Sequence, residues 1–129
     1  MRHRVQGRKL GLPSDQRMAL LKNQVRQLLQ HGHIVTTETR AKEVRRIAER
    51  LITRGKTDTL HSRRIARRVV ATSVGQRGDN LSGEDYVQRL FKDIAPQFQN
   101  RPGGYTRIIH IGFRRGDAAP IVKLELATD

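Results

Sequence analysis

The period of the apolar residues changes near residue 100, and that change limits what this chain can fold into. From Met18 to Ile94 they recur mostly at spacings of three and four; from Tyr105 onward they alternate. A step of three or four builds one stripe of a helix, and a step of two builds one face of a strand. Helices first and strands last is the order of an α+β chain. Ser14 is expected to cap a first helix with Met18, Leu21, Val25, Leu28 and Leu29 inward, closing at Gly32. The β-branched stretch 33–37 predicts a short strand. A second helix runs from about Thr39 to Gly55, with Ala41, Val44, Ile47, Ala48, Leu51 and Ile52 as its core face. Asp58 or Thr59 caps a third, with Ile65, Val69, Val70 and Val74 inward and Gly75 at its end. Residues 76–83 read as a loop. Ser82 and Asp85 then make a capping-box-like start for a fourth helix, with Val87, Leu90, Phe91 and Ile94 inward, which Pro96 stops. Strands from Tyr105 to Phe113 and from Ile121 to Leu126 are joined across Arg114–Pro120. Two strands alone are marginal, so 33–37 is expected to join them in a small three-stranded mixed sheet. About four helices pack on it.

Residues 1–13 follow no such period, and Gly7 and Gly11 discourage a helix there. They are expected to form an extended basic tail on a globular body, 14–129, the whole being one domain. The charge is as uneven as the pattern. Residues 1–77 hold nineteen Lys and Arg against five acids, whereas residues 78–129 hold seven of each. All of the net charge of +14 therefore lies in the first part. Twenty of the 26 cations are Arg, whose planar fork suits two phosphate oxygens at once. Such clustering points to a polyanion as partner.

Several groups of residues are candidates for that contact. In the tail they are Arg2, His3, Arg4, Arg8 and Lys9. Opposite the first helix's stripe lie Arg17, Lys22 and Arg26, of which Arg17 joins the candidates. On the third helix Arg63, Arg64, Arg67 and Arg68 form two i,i+4 pairs with no acid between Asp58 and Asp79. Like charges at that spacing repel unless an anion intervenes. Arg45, Arg46 and Arg50 on the second helix mingle with Glu43 and Glu49, so internal pairing and binding weigh equally there. The loop Asn100–Arg107 offers Arg101, Arg107, the Tyr105 ring and two glycines that let a backbone approach phosphate. Composition alone makes that loop an ordinary Pro-Gly turn.

Other chemistries lack their residues. Gly55-Lys56-Thr57 imitates the end of a phosphate-binding loop, but Arg50 stands where its first Gly belongs. His31 and His33 have no carboxylate or thiol cluster to complete a metal site. There are no cysteines. No acid/base set suggests an enzyme, and no cofactor, metal or small-molecule substrate is expected. No apolar run approaches the ~18 residues of a membrane span, and the basic N-terminus lacks the apolar stretch of a secretory signal. A cytoplasmic protein is expected. Basic amphipathic helices can bind anionic lipid, but these need their apolar faces for the core.

Met1-Arg2-His3-Arg4 with Gly7-Arg8-Lys9-Leu10, Thr36-Thr37 with Ala41-Lys42-Glu43 and Arg45-Arg46, Leu51-Ile52, the block Asn100 to Ile108, and Arg115 to Pro120 together resemble the bacterial large-subunit ribosomal protein seventeen family. The resemblance covers nearly the whole chain in order. It departs at Gly11–Asp15, where the family has a polar stretch, and at 75–83, which is longer here. It implies a non-catalytic component of the large ribosomal subunit. The implied partners are large-subunit ribosomal RNA and neighbouring ribosomal proteins, protein thirty-two among them, in a bacterial or organellar ribosome. In the expected mechanism the tail threads between RNA helices. The body docks through the third helix and the Arg101–Arg107 loop, reading shape more than sequence. The rival expectation is a free DNA-binding regulator that uses the second and third helices as a helix-turn-helix-like pair across Gly55–Thr57.

Overall fold

The computed structural model describes residues 3, 7–70 and 83–128. Along the chain come α1 (Ser14–His31), β1 (His33–Thr37), α2 (Glu38–Gly55), α3 (Leu60–Val70), α4 (Gly83–Arg89), β2 (Thr106–Phe113) and β3 (Pro120–Leu126). This is the expected α+β order. The sheet order is β1-β3-β2, and both ladders are antiparallel, so the sheet is not mixed. The last strand returns between the first two, pairing Ile34 with Leu124 and Ile108 with Leu124. α1 and α2 cover one face of this sheet, and α3 and α4 pack against α1 and α2. Leu28, Leu29, Ile52, Leu90 and Leu124 are fully buried between the layers. Each contributes about 1.5–3 kcal/mol relative to exposure.

Helix ends differ from expectation in detail. Ser14 is the first helical residue of α1, not its cap; the carbonyl of Pro13 accepts the Arg17 amide at 2.9 Å. Ser14 Oγ instead accepts from Arg17 Nη2 at 3.4 Å. Gly32 closes α1 in the left-handed region, φ +80°, its amide donating to the Leu28 carbonyl. Thr59, rather than Asp58, caps α3, its hydroxyl accepting from the Ser62 amide at 3.1 Å. Val74, Gly75, the 76–82 part of the expected loop and Ser82 lie outside the described residues. Pro96 does not simply end the fourth helix. α4 widens into a π turn at Leu90–Ile94 and tightens into a 3-10 turn at Ala95–Phe98. A proline has no amide to give the ladder, and the Gln97 side chain takes the Asp93 carbonyl at 2.8 Å.

Two residues leave the faces expected for them. Met18 sits at the edge of the core, 43% exposed. Arg26, expected outside, is buried at 7% exposure and donates Nε to the Val70 carbonyl at 2.9 Å. A long side chain can bury its stem and end on a carbonyl at a neighbouring helix's C-terminus. Gly55 matters for packing. A Cβ there would stand 2.9 Å from Ala95 Cβ, so only glycine lets α2 end so close to the 3-10 turn.

Of the tail, Arg2 and Arg4 lie outside the described residues, and His3 is exposed. The part nearest the body is not extended. Leu12 donates its amide to the Lys9 carbonyl at 3.1 Å, with Leu10 at φ +54°. Leu10 packs against the core, which explains the turn: an apolar side chain gains more by docking than by staying in water.

Candidate nucleic-acid interface

The sequence-distant cations converge on the helical layer, on the side away from the sheet. Arg8, Arg17, Arg46 and Arg50 surround a cavity of about 260 Å³ beside Met18, Leu21, Ile47 and Gly7. Glu43 also lines it, at 3.9 Å from Arg46. A second cavity of about 300 Å³ shares Met18, Ile47 and Arg50 and adds Lys22, Arg54 and the α3 residues Ile65 and Val69. Arg46, Arg50 and Arg54 follow one another at i,i+4 along α2, which aligns them on one face. Arg64, Arg67 and Arg68 are exposed on α3. Among the described residues no hydrogen bond or ion pair engages the side chains of Lys22, Arg50, Arg54, Arg64 or Arg68.

The remaining arginines are bound within the protein to differing degrees. Arg63 forks onto Asp58, at 2.6 and 3.1 Å, with its guanidinium 5.0 Å from the centre of the Phe91 ring. The Arg63 hydrogen bond holds the Asp58 carboxyl below its usual value. Arg63 thus braces the start of α3 against the fourth helix. Arg45 pairs with Glu49 at 3.5 Å. Arg107 crosses the sheet to Glu125 at 2.6 Å, which pulls the Glu125 carboxyl below its ordinary range.

The 100–107 loop is built inward. Tyr105 is 2% exposed, edge-on to Phe98 at 5.3 Å, and its hydroxyl accepts from Thr53 at 3.2 Å. Its ring therefore offers no face to a base, contrary to its place among the contact residues. An aromatic at a strand's start serves the core when a helix faces it, and α2 does. Arg101 donates to the Ala127 carbonyl at 2.8 Å and lies over Phe98. Lys56 donates to the Arg101 carbonyl and stands 4.6 Å above the Tyr105 ring centre. Glu49 accepts from the Thr106 amide at 3.3 Å and its hydroxyl at 2.9 Å. What the loop leaves outside is backbone: open space surrounds Gly103 and Gly104. Lys22 and Arg54 are the cations that sequence inspection missed. Arg54 was legible as the continuation of Arg46 and Arg50 at i,i+4, but no spacing brings Lys22 beside it.

The outer sheet face differs in character. Val35 and Ile109 are exposed there, both opposite Lys123, whereas Phe113, 76% exposed, pairs with Pro120 on the side of Val122 and Leu124, at the sheet's end. Ile111 falls in a register shift, since His110 faces Val122 and Gly112 faces Ile121. β2 is an edge strand. Arg107 and Lys123 on this side share the one carboxylate of Glu125, Lys123 at 3.3 Å from it.

A small α+β body with uncompensated cations gathered on one helical face belongs to the class of basic proteins that work in association with polyanions. The family model described as ribosomal protein L17 matches residues 20–127. Large ribosomal subunit protein bL17 of Thermoanaerobacter sp. (strain X514) is 50% identical over 119 residues, 92% of this chain and 96% of that protein. The proteins of that name from Clostridium botulinum (strain Hall / ATCC 3502 / NCTC 13319 / Type A) and Clostridium beijerinckii (strain ATCC 51743 / NCIMB 8052) are 54% and 56% identical over the same coverage. The chain belongs to the ribosomal protein L17 family. Membership makes it a structural component of the ribosome rather than an enzyme, and displaces the free DNA-binding regulator. Among the described residues no helix is long and apolar enough to cross a membrane.

Proposed function

We propose that this protein is a scaffold of the large ribosomal subunit that binds large-subunit ribosomal RNA and so supports subunit assembly and translation. The observation that carries this is the convergence of Lys22, Arg50 and Arg54 around one cavity of the helical layer, with Arg64 and Arg68 exposed on α3, which also lines it; none of the five has a carboxylate partner among the described residues. Phosphates are the natural partners of such cations, and Arg and Lys contacts to phosphate position a protein without reading sequence. Arg8, Lys9, Arg17, Arg46 and Arg67 extend the contact, as do His3 and, from the tail, Arg2 and Arg4. Residues 1–13 act as an RNA-binding arm of the body 14–129. Arg45, Arg63, Arg101 and Arg107 serve chiefly to hold the fold that presents the others. Neighbouring ribosomal proteins, protein thirty-two among them, meet the outer sheet face, where apolar side chains replace free charge. The particle is that of the cytoplasm or an organelle.

The test is co-sedimentation with large subunits through a high-salt wash. The wild-type chain stays with the particle, whereas a variant with Arg50, Arg54, Arg64 and Arg68 changed to Gln is released at lower salt. Release of the wild-type chain at moderate salt, as a loosely held regulator would show, refutes the scaffold.

A further inference from the structure

The cavity between α1, α2 and α3 is more than a patch of charge. Its floor is Met18, Ile47, Leu51, Ile65 and Val69, and its rim is Lys22, Arg50 and Arg54. No carboxylate lines it. Leu51 is buried, Ile47, Ile65 and Val69 are half-buried, and Met18 is the most open. Phosphates alone would use the rim and leave the aliphatic floor in water. An apolar partner alone would desolvate three unpaired cations, which is costly. Both halves are satisfied together by a ligand that is apolar and flat at one end and anionic at the other.

We propose that this groove takes one unstacked nucleotide of single-stranded or bulged RNA, its base on the aliphatic floor and its flanking phosphates on Lys22, Arg50 and Arg54. The inference deepens the RNA-binding reading and rests on it. A base inside a duplex cannot present its face, so the groove selects splayed-out nucleotides. A floor of Met, Ile, Leu and Val has no strong hydrogen-bonding group, so it accepts any base and favours the larger purines by area. The planar guanidiniums of Arg50 and Arg54 can bond phosphate at the rim. The adjoining cavity, which shares Met18, Ile47 and Arg50, carries the next stretch of backbone past Arg46 and Arg17 towards Arg8. Glu43 stands in that second cavity next to Arg46 and sets its anionic limit.

The test uses the full chain with labelled Met, Ile, Leu and Val methyls, observed by NMR. The probes are a six-nucleotide adenylate strand, an abasic strand of the same length, an acidic Leu/Phe-rich peptide, and large-subunit ribosomal RNA in a parallel filter-binding assay. The adenylate strand is expected to shift the methyls of Met18, Ile47, Ile65 and Val69 saturably. It should bind about five-fold tighter than the abasic strand, the low end for a sequestered base because no aromatic ring stacks on it. Ile65→Ser removes that preference and leaves abasic binding as it was, while Arg50→Gln weakens both strands. The comparison of the two strands on the wild-type chain stands even if a variant fails to fold. Equal binding of the two strands with unmoved floor methyls, while ribosomal RNA is still bound, overturns the nucleotide site and leaves a phosphate surface. Floor methyls that respond only to an acidic Leu/Phe-rich peptide overturn it in favour of a protein seat. Failure to bind ribosomal RNA at all refutes the underlying RNA-binding reading instead.

Discussion

If the helical face meets phosphate and the sheet does not, the two sides should differ in salt dependence. The side chains of Lys9, Lys22, Arg50, Arg54, Arg64 and Arg68 make no hydrogen bond or ion pair among the described residues. Each phosphate neutralised contributes about 0.7–0.9 to the slope of log K against log salt, so six contacts give a slope of about −4 to −5. Between about 50 and 200 mM salt that slope costs roughly 500-fold in affinity. Changing Arg50, Arg54, Arg64 and Arg68 to Gln removes four contacts and should flatten the slope by about 3, leaving only about a tenfold loss over the same range. Changing Arg45, Arg107 and Arg114 to Gln is the control, since each is already paired with a carboxylate, Glu49, Glu125 or Asp117. It should alter the slope by less than about one unit. Filter binding of large-subunit ribosomal RNA over a salt series measures both, with circular dichroism to verify folding. If the paired trio flattens the slope as much as the unpaired quartet, internal pairing does not decide which arginines reach RNA, and the assignment of the face fails.

Three further outcomes test the fold that carries the face. Glu49→Ala strips the buried Thr106 of its partner for both amide and hydroxyl and should cost about 1–3 kcal/mol in urea unfolding; an unchanged midpoint would mean water replaces the carboxylate. Gly55→Ala forces a methyl to 2.9 Å from Ala95 Cβ and should cost about 1–3 kcal/mol, against the gain Ala normally brings to a helix; a stabilised variant would show that the contact gives way. The Arg114 hydrogen bond, with the Ala119 amide, lowers the Asp117 carboxyl from 3.8 to about 2. A depressed folded value means that the hairpin gains this pair's support fully above about pH 4 and loses it as pH falls through about 2. NMR titration of Asp117 should show a midpoint near 2, moving up in Arg114→Gln; equal midpoints in the two proteins would put the cause elsewhere.

Much of the fold was legible because it rests on periodicity. Apart from Met18, the stripes of α1 and α2 and the Gly32 stop emerge as the spacing predicts, and stretch 33–37 joins the sheet as expected. What escaped was set by tertiary contact. Arg26 looks like any surface cation at its position until the Val70 carbonyl arrives from 44 residues away. The stretch Tyr105–Phe113 reads as one unbroken alternation, yet a register shift at Ile111 breaks it, so Ile109 lies opposite Lys123 on the outer face while Phe113 pairs with Pro120 on the side of the buried Val122. For the candidate interface, charge density points to the first 77 residues but not to the division among their arginines. Whether an arginine is spent internally depends on carboxylates brought by other elements, as with Arg107 and Glu125. Where the partner was local, as with Arg45 and Glu49, the sequence already weighed pairing equally.

The docking of Leu10 has a consequence for binding strength. Residues 1–9 are tethered at a fixed point on the body, so Arg2, His3 and Arg4 can lie no further than roughly 30 Å from it at ~3.3 Å per residue. If the helical face settles on RNA as proposed, the tail's encounter with the same RNA becomes intramolecular. Its effective concentration is then on the order of millimolar, whatever the concentration of the free protein. Weak individual contacts in the tail would then multiply the affinity of the body instead of adding to it. A Leu10→Ser change, which touches no phosphate contact, would lengthen the tether and loosen the pair of them together.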